Sequence, residues 1–189
     1  MRRLILKMSM SLDGFVAGPG GEMDWMMRTR SPEGINWVEQ TLWQAGAHLM
    51  GRNTYASMVR YWPTSTDALA GPMNEVPKIV FSKSGSLAFE PTVVRTPGWD
   101  NTRVLGGNLA DDIAELKSES GKDLLAHGGA SFAKDLIRQG LVDEFRLVVH
   151  PVVLGAGLAL FDDVAPFDLT LIDATKFPVG TQGLIYRPK

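Results

Sequence analysis

Two short runs in the chain have the residue types and spacing to hold a phosphate. One is Met50-Gly51-Arg52-Asn53-Thr54 and the other His127-Gly128-Gly129-Ala130-Ser131. Each follows an apolar stretch that reads as a strand and opens one that reads as a helix. At such a junction the free backbone N–H groups and the helix dipole attract an anion, and glycine lets a ligand approach the backbone. Arg52 adds a fork of donors and Thr54 a hydroxyl. Two such junctions in one α/β domain suit a dinucleotide, with its pyrophosphate and, in some cases, a ribose phosphate. A tight turn is the competing reading of either run taken alone. Neither the GxGxxG nor the Walker pattern occurs.

Other reactive residues are sparse. The three histidines, His48, His127 and His150, are scattered, with no HxH or HxxxH spacing, so no metal site is expected. Each reads more readily as a structural histidine at a strand end. No serine sits in a GxSxG elbow. The pairs Asp111-Asp112 and Asp162-Asp163 read as solvated surface. With no cysteine, thiolate nucleophiles, disulfides and iron–sulfur clusters are excluded. Two tryptophans are candidates for a substrate pocket. Trp25 lies in an irregular loop beside Gly20-Gly21, where it borders a planar ligand or anchors the loop. Trp37 lies on the first predicted helix, where packing is the alternative.

Strands alternating with helices must position these residues. Residues 2 to 10 read as a strand that enters a turn at Asp13-Gly14. An irregular loop over 17 to 35 precedes a helix whose start is suggested by the capping-box spacing of Asn36 and Glu39. Its apolar face is Val38, Leu42 and Ala45, and Gly46 suits its stop. Strands follow at 47–50, 78–82 and 123–127, with weaker candidates at 92–95 and 102–105. Residues 61 to 77 read as irregular. Asn108 caps a helix facing inward through Leu109, Ile113 and Leu116. A helix after Gly129 buries Phe132, Leu136 and Ile137 and stops at Gly140. The chain finishes with strands at 143–154, 168–177 and 180–187. This order predicts a largely parallel sheet with helices on both faces and antiparallel strands at one edge.

The composition fits one domain over 1–189. The chain is 44% hydrophobic and 21% charged, with a net charge of -2, so a dedicated nucleic-acid binder is not expected. No run reaches the roughly 20 apolar residues of a membrane span. Lys7 and Asp13 interrupt the N-terminal apolar run, which argues against a signal peptide. A cytoplasmic protein with a small-molecule substrate is the expectation.

The segments SMSLDGFVAG, LMGRNTY, PKIVFSKS and LLAHGGASFAKDLIRQGLVDEFRLVVHPVVLGAGLALF follow one another in an order that resembles the dihydrofolate reductase-like superfamily. The resemblance is nearest to its branch related to the reductase domain of bacterial riboflavin biosynthesis, and it runs over about residues 3 to 187. It implies a three-layer α/β fold with a central, mostly parallel sheet of about eight strands and an antiparallel C-terminal edge, binding NADPH. Carried onto this chain, it implies that Val16 and Ala17 contact the nicotinamide end. Gly51, Arg52, Asn53 and Thr54 would meet phosphates, with Arg52 a candidate for the 2′-phosphate. Phe81, Ser82 and Lys83 would border the adenosine ribose and its phosphate, and Gly128, Gly129, Ala130 and Ser131 the pyrophosphate.

The implied reaction is hydride transfer to a C=N group, or to the ring-opened C1′ of a ribosylaminopyrimidine. Asp13 is the candidate for orienting substrate or donating a proton, with a turn residue as the alternative. Dihydrofolate reductases hold the pterin with a carboxylate on the first helix. Here that region reads Gly34-Ile35-Asn36-Trp37-Val38, with Glu33 and Glu39 the nearest acids. A pterin reductase and a non-catalytic NADPH-binding module therefore stand as alternatives. Relatives in this branch also imply a homodimer.

Overall fold

The computed structural model of the chain describes residues 1–87 and 96–189. The strand expected at 92–95 lies outside the described residues. Among the described residues, ten strands and six α-helices are laid down in this order: β1 (Leu4–Ser11), β2 (Phe15–Ala17), α1 (Pro32–Trp43), β3 (Ala47–Gly51), α2 (Arg52–Tyr61), α3 (Ala70–Glu75), β4 (Lys78–Phe81), α4 (Pro97–Asp100), β5 (Arg103–Leu105), α5 (Leu109–Ser118), β6 (Leu124–Ala126), α6 (Ala130–Arg138), β7 (Glu144–His150), β8 (Leu158–Ala159), β9 (Leu169–Lys176) and β10 (Gln182–Pro188). A 3-10 segment, Asp24–Thr29, precedes α1.

Eight strands form one sheet in the order β5-β4-β3-β6-β1-β7-β10-β9, and β2 pairs with β8 separately. The pairings from β5 to β7 are parallel, while β10 runs antiparallel to both β7 and β9. This is the α/β architecture expected, with a dihydrofolate reductase-like strand arrangement. Parallel strands need crossover connections, and the helices supplying them cover both faces of the sheet. On one side Leu4, Leu6, Met8 and Met10 of β1 join Leu49, Leu124 and Phe145 beneath Ile113 and Leu116 of α5 and Phe132, Leu136 and Ile137 of α6. On the other, Ile5, Met50, Val80, Leu125 and Val148 meet Val38 and Leu42 of α1, Tyr55 and Val59 of α2, Met73 of α3 and Trp99 of α4.

Several boundaries differ from expectation for identifiable reasons. Helix α1 starts four residues before Asn36, because the Ser31 side chain accepts from the Gly34 N–H and Pro32 occupies its first turn. Strand β7 ends at His150, ahead of Pro151, so residues 152–154 are not strand. The segment read as irregular over 61–77 contains α3, whose Gly71-Pro72 masked a helix of one and a half turns. The short β2–β8 pair was not anticipated. The Asn108 cap is as read, its side chain accepting from the Ala110 and Asp111 N–H groups. Gly140 ends α6 at φ +63°, with the Gly140 and Leu141 N–H groups donating to Ile137 and Leu136 carbonyls.

Candidate active site

The two glycine-led junctions stand side by side at the C-terminal edge of the sheet. Gly51 closes β3 and precedes α2, and Gly129 precedes α6; neither helix start carries a side-chain cap. They are tied directly. The Gly51 N–H donates to the Gly128 carbonyl at 3.4 Å, and the Gly129 N–H donates to Thr54 Oγ1 at 2.6 Å. Thr54 thus spends its hydroxyl on joining the junctions. Glycine is required at 128, where φ is +82° and a Cβ would lie 2.9 Å from Met8 Sδ. At Gly129 a Cβ would lie 2.9 Å from Thr54 Oγ1. Ala130 and Ser131 open α6, so their N–H groups belong to its unpaired first turn. Asn53 is exposed in the first turn of α2.

The adenosine-side candidates flank this pair. Phe81 ends β4 and stacks on Phe132 with ring centres 4.9 Å apart. Ser82 is buried, donates to the Ser86 carbonyl at 2.7 Å and lies 3.0 Å from Ser84 Oγ. Arg52 reaches over to that turn, its Nη1 donating to Ser84 Oγ at 3.5 Å. Lys83 is exposed in the same turn. Among the described residues neither Arg52 nor Lys83 has a carboxylate partner. Two cations and a serine hydroxyl with no acid between them suit a phosphate monoester. Ser84 was not singled out from sequence, and only the fold of the 82–86 turn reveals it.

Val16 and Ala17 are buried on β2, and Val16 packs in one apolar cluster with Met8, Met10 and Phe132. Asp13 is held otherwise than a proton donor needs. Its carboxylate accepts from Ser11 Oγ at 2.6 Å, from the Leu154 N–H at 3.2 Å and from the Gly155 N–H at 2.8 Å. These bonds, the Ser11 one first, hold it below the usual carboxylate range. Asp13 ties the β1–β2 turn to the turn after β7.

Both candidate tryptophans make packing contacts. Trp25 is buried, donates its indole N–H to the Glu22 carbonyl, and meets His150 edge-on at 5.3 Å. Trp37 packs against Phe177 and the backbone of Gly183 in β10, four places along the sheet from β3. It stands away from the two glycine junctions and lines a separate pocket with Glu33, Asn36, Gln40, Thr175 and Phe177.

One residue missed from sequence is central here. On β1 the even positions face α5 and α6, so Ile5, Lys7, Ser9 and Ser11 face the opposite way. Lys7 is near enough to Arg30, His127 and His150 for their charges to act on one another. Burial first, then Arg30, pushes its ammonium down to about 8. His150 Nδ1 lies 2.7 Å from Thr29 Oγ1, and its Nε2 is buried with no partner among the described residues. His127 Nε2 is likewise buried and unpartnered, and the ring sits edge-on to His48 at 4.5 Å. Burial pushes His150 down to about 4, with Lys7 adding to it, and lowers His127 far below its ordinary value. All three rings, His48 included, are neutral at pH 7. The signal in sequence was a lysine inside an apolar strand at an odd position between Ile5 and Ser9.

Among the described residues no cluster of three or more metal-ligating side chains occurs, and no helix is long and apolar enough to cross a membrane.

An α/β domain with a mostly parallel eight-stranded sheet and an antiparallel C-terminal edge has a fold like that of the dihydrofolate reductases. The chain belongs to the RibD C-terminal domain family, whose model matches residues 2–182. The protein YyaP of Bacillus subtilis, itself uncharacterized, is 34% identical over 187 residues, covering 98% of this chain and 94% of that one. A Shewanella sp. PV-4 protein named for riboflavin biosynthesis superposes with a TM-score of 0.78 at 22% identity, with 99% of both chains covered. The dihydrofolate reductase of Enterococcus faecalis, solved with NADP(H), superposes with a TM-score of 0.67 at 13% identity, covering 99% of this chain and 96% of that one.

Proposed function

We propose that this chain is an NADPH-dependent reductase of a small heterocyclic substrate, with a C=N group or a ring-opened ribosylamine carbon as hydride acceptor. The activity it would resemble is that of a 5-amino-6-(5-phosphoribosylamino)uracil reductase, the activity named for one solved Thermotoga maritima structure of this fold. The observation that carries this reading is the pair of glycine-led helix starts hydrogen-bonded to each other, with Arg52 and Lys83 beside them. The residues fit the dinucleotide: first-turn amides of α2 and α6 for the pyrophosphate, and Arg52, Lys83 and Ser84 for a 2′-phosphate. NADPH, when bound, supplies a hydride. The protein orients the substrate and keeps water out, and Lys7 sets a positive charge where negative charge develops on the acceptor.

The acids of α1 do not favour a pterin. Glu33 is exposed, and Glu39 accepts from the Trp43 indole at 3.4 Å. A homodimer accompanies this reading. Strand β9 is one edge of the sheet among the described residues, and it leaves Leu171 and Ile172 exposed.

The test is titration of NADPH and NADH against wild type and Arg52→Ala, followed by tryptophan quenching. NADPH is expected to bind at least tenfold tighter than NADH, and Arg52→Ala to remove most of that difference. Equal affinities for the two, or an unaltered preference in the variant, would place the phosphate elsewhere.

A further inference from the structure

Two segments without strand or α-helix, residues 18–31 and 62–69, flank the polar side of the central sheet. The first crosses the end of β7. Trp25 meets the His150 ring at 5.3 Å, Thr29 Oγ1 lies 2.7 Å from His150 Nδ1, and Thr181 Oγ1 donates to the Thr29 carbonyl at 3.0 Å. His150 is left 4% exposed beneath it. The second segment is anchored elsewhere. The Trp62 carbonyl accepts from Asn74 Nδ2 at 2.8 Å, Asn74 Oδ1 accepts from the Trp99 indole at 2.8 Å, and Asp67 accepts from the Leu69 N–H at 3.0 Å. One ion pair joins the two segments. Arg30 Nη1 donates to Asp67 Oδ2 at 2.9 Å, and Nη2 to Oδ1 at 3.2 Å. Among the described residues no other hydrogen bond links them.

This pair differs from an ordinary surface contact. It is bidentate, and the side chains of Arg30 and Asp67 are 29% and 15% exposed, against 42% and 67% for Arg103 and Glu115. A forked guanidinium–carboxylate bond partly shielded from water is stronger and more directional than an exposed pair. What it fastens is otherwise lightly held. Within Asp24–Thr29 only Trp25 is buried, and Met23 and Met27 stand exposed. Gly18, Gly20 and Gly21 precede this stretch, Gly21 at φ +90°. A glycine-led segment with few buried residues is the kind that opens locally while the sheet stays folded.

We infer that the Arg30–Asp67 pair is a latch. Closed, it pins residues 24–31 over His150 and over Ser11, which pairs with His150 in register. Released, it uncovers the ends of β1 and β7 without disturbing the sheet. The reductase reading above places the substrate on this side of the sheet. Resting on that reading, the latch controls the substrate's admission and the product's release.

The experiment measures how fast diethyl pyrocarbonate modifies His150 at pH 7, followed by mass spectrometry of the peptides. His48, 0% exposed in the core, is the internal control. Arg30→Gln breaks the pair and leaves the bond from the Leu69 N–H to Asp67 in place. Asp67→Asn removes the charge and keeps an acceptor oxygen for that N–H. Each variant is expected to speed modification of His150 at least tenfold, with His48 unchanged. The double variant should be no faster than the faster single one, because both remove the same bond. Unchanged reactivity of His150 in both single variants would overturn the latch. So would His150 and His48 speeding up together, which would show that the pair holds the whole fold. No cofactor or substrate enters these reactions. A response of His150 in a protein that binds no NADPH would therefore keep the latch and remove only the reductase reading.

Discussion

The two faces of the central sheet are built to different rules. On the α5 and α6 side, β1 presents Leu4, Leu6, Met8 and Met10 to a continuous apolar layer. On the other side, the same strand presents Ile5, Lys7, Ser9 and Ser11, and only Ile5 of these joins the apolar cluster. Neighbouring strands follow suit, with Lys78, His48, Arg146 and His150 all buried. A fully parallel sheet needs no polar residue at its centre, since its backbone groups satisfy one another. One face of β1 is apolar throughout, and on the other an apolar cluster is interleaved with polar and charged groups.

The largest expected contrast comes from adjacent residues of β1. Leu6 is fully buried on the apolar face. Leu6→Ala should cost about 2–5 kcal/mol, the usual range for a buried leucine truncation. Lys7→Met removes a half-buried charge that has no partner among the described residues and keeps the volume, so it should change stability little, while turnover falls by two orders of magnitude or more. Urea denaturation beside a steady-state assay reads both. Equal destabilisation by the two variants would break the division between the faces.

Acid should act through the polar face. Burial holds His48 down to about 3, with the charge of Lys78 next, and His150 down to about 4. In the unfolded chain these rings take up protons near 6.5. The folded state resists protonation until pH falls much further, so the unfolded state binds more protons between about pH 6.5 and 4, and stability drops across that window. Each such histidine contributes a slope of up to about 1.4 kcal/mol per pH unit. Urea midpoints measured from pH 7 to 4 should fall steeply, and His48→Leu should flatten the curve. A flat profile in the wild type would mean that the rings are not buried as neutral groups.

A smaller effect is expected at the seam between the junctions. Thr54→Val leaves the Gly129 N–H without its acceptor, at a cost of about 1–3 kcal/mol. NADPH affinity should fall with it, because the two helix starts are no longer held in register. Retained affinity would show that the Gly51 to Gly128 bond suffices.

How much of this was legible in the chain follows from range. The strand order, the glycine junctions and the Asn108 and Gly140 helix ends are written in local patterns of a few residues. Helix α1 was misplaced because two cap signals compete, and Ser31-Pro32 outweighs the Asn36 and Glu39 spacing. The active face was harder to see. Lys7 comes within electrostatic reach of His127 and His150 across more than a hundred residues, and its only local sign is its odd position in an apolar strand. Trp25 and Trp37 meet partners, His150 and Phe177, that are equally remote in sequence, so their packing could not be read locally.

The last contrast lies within β1 and the turn that follows it, between Lys7 and Asp13. Asp13 is the acid that sequence offers for chemistry, and its carboxylate accepts from Ser11, Leu154 and Gly155. Those bonds depress its proton affinity in the folded state. Its stabilising contribution is therefore present above its ordinary value near 4 and is lost as pH falls through the lowered one. An acid held ionised in this way gives up no proton at neutral pH. Asp13→Asn keeps one acceptor oxygen for the turn, so a small drop in thermal midpoint is expected, with turnover kept within a few-fold and the pH profile of kcat unmoved. Loss of turnover in a folded Asp13→Asn protein would return the chemistry to the turn and leave Lys7 as a bystander. Turnover retained there but lost in Lys7→Met would assign it to the polar face of the sheet.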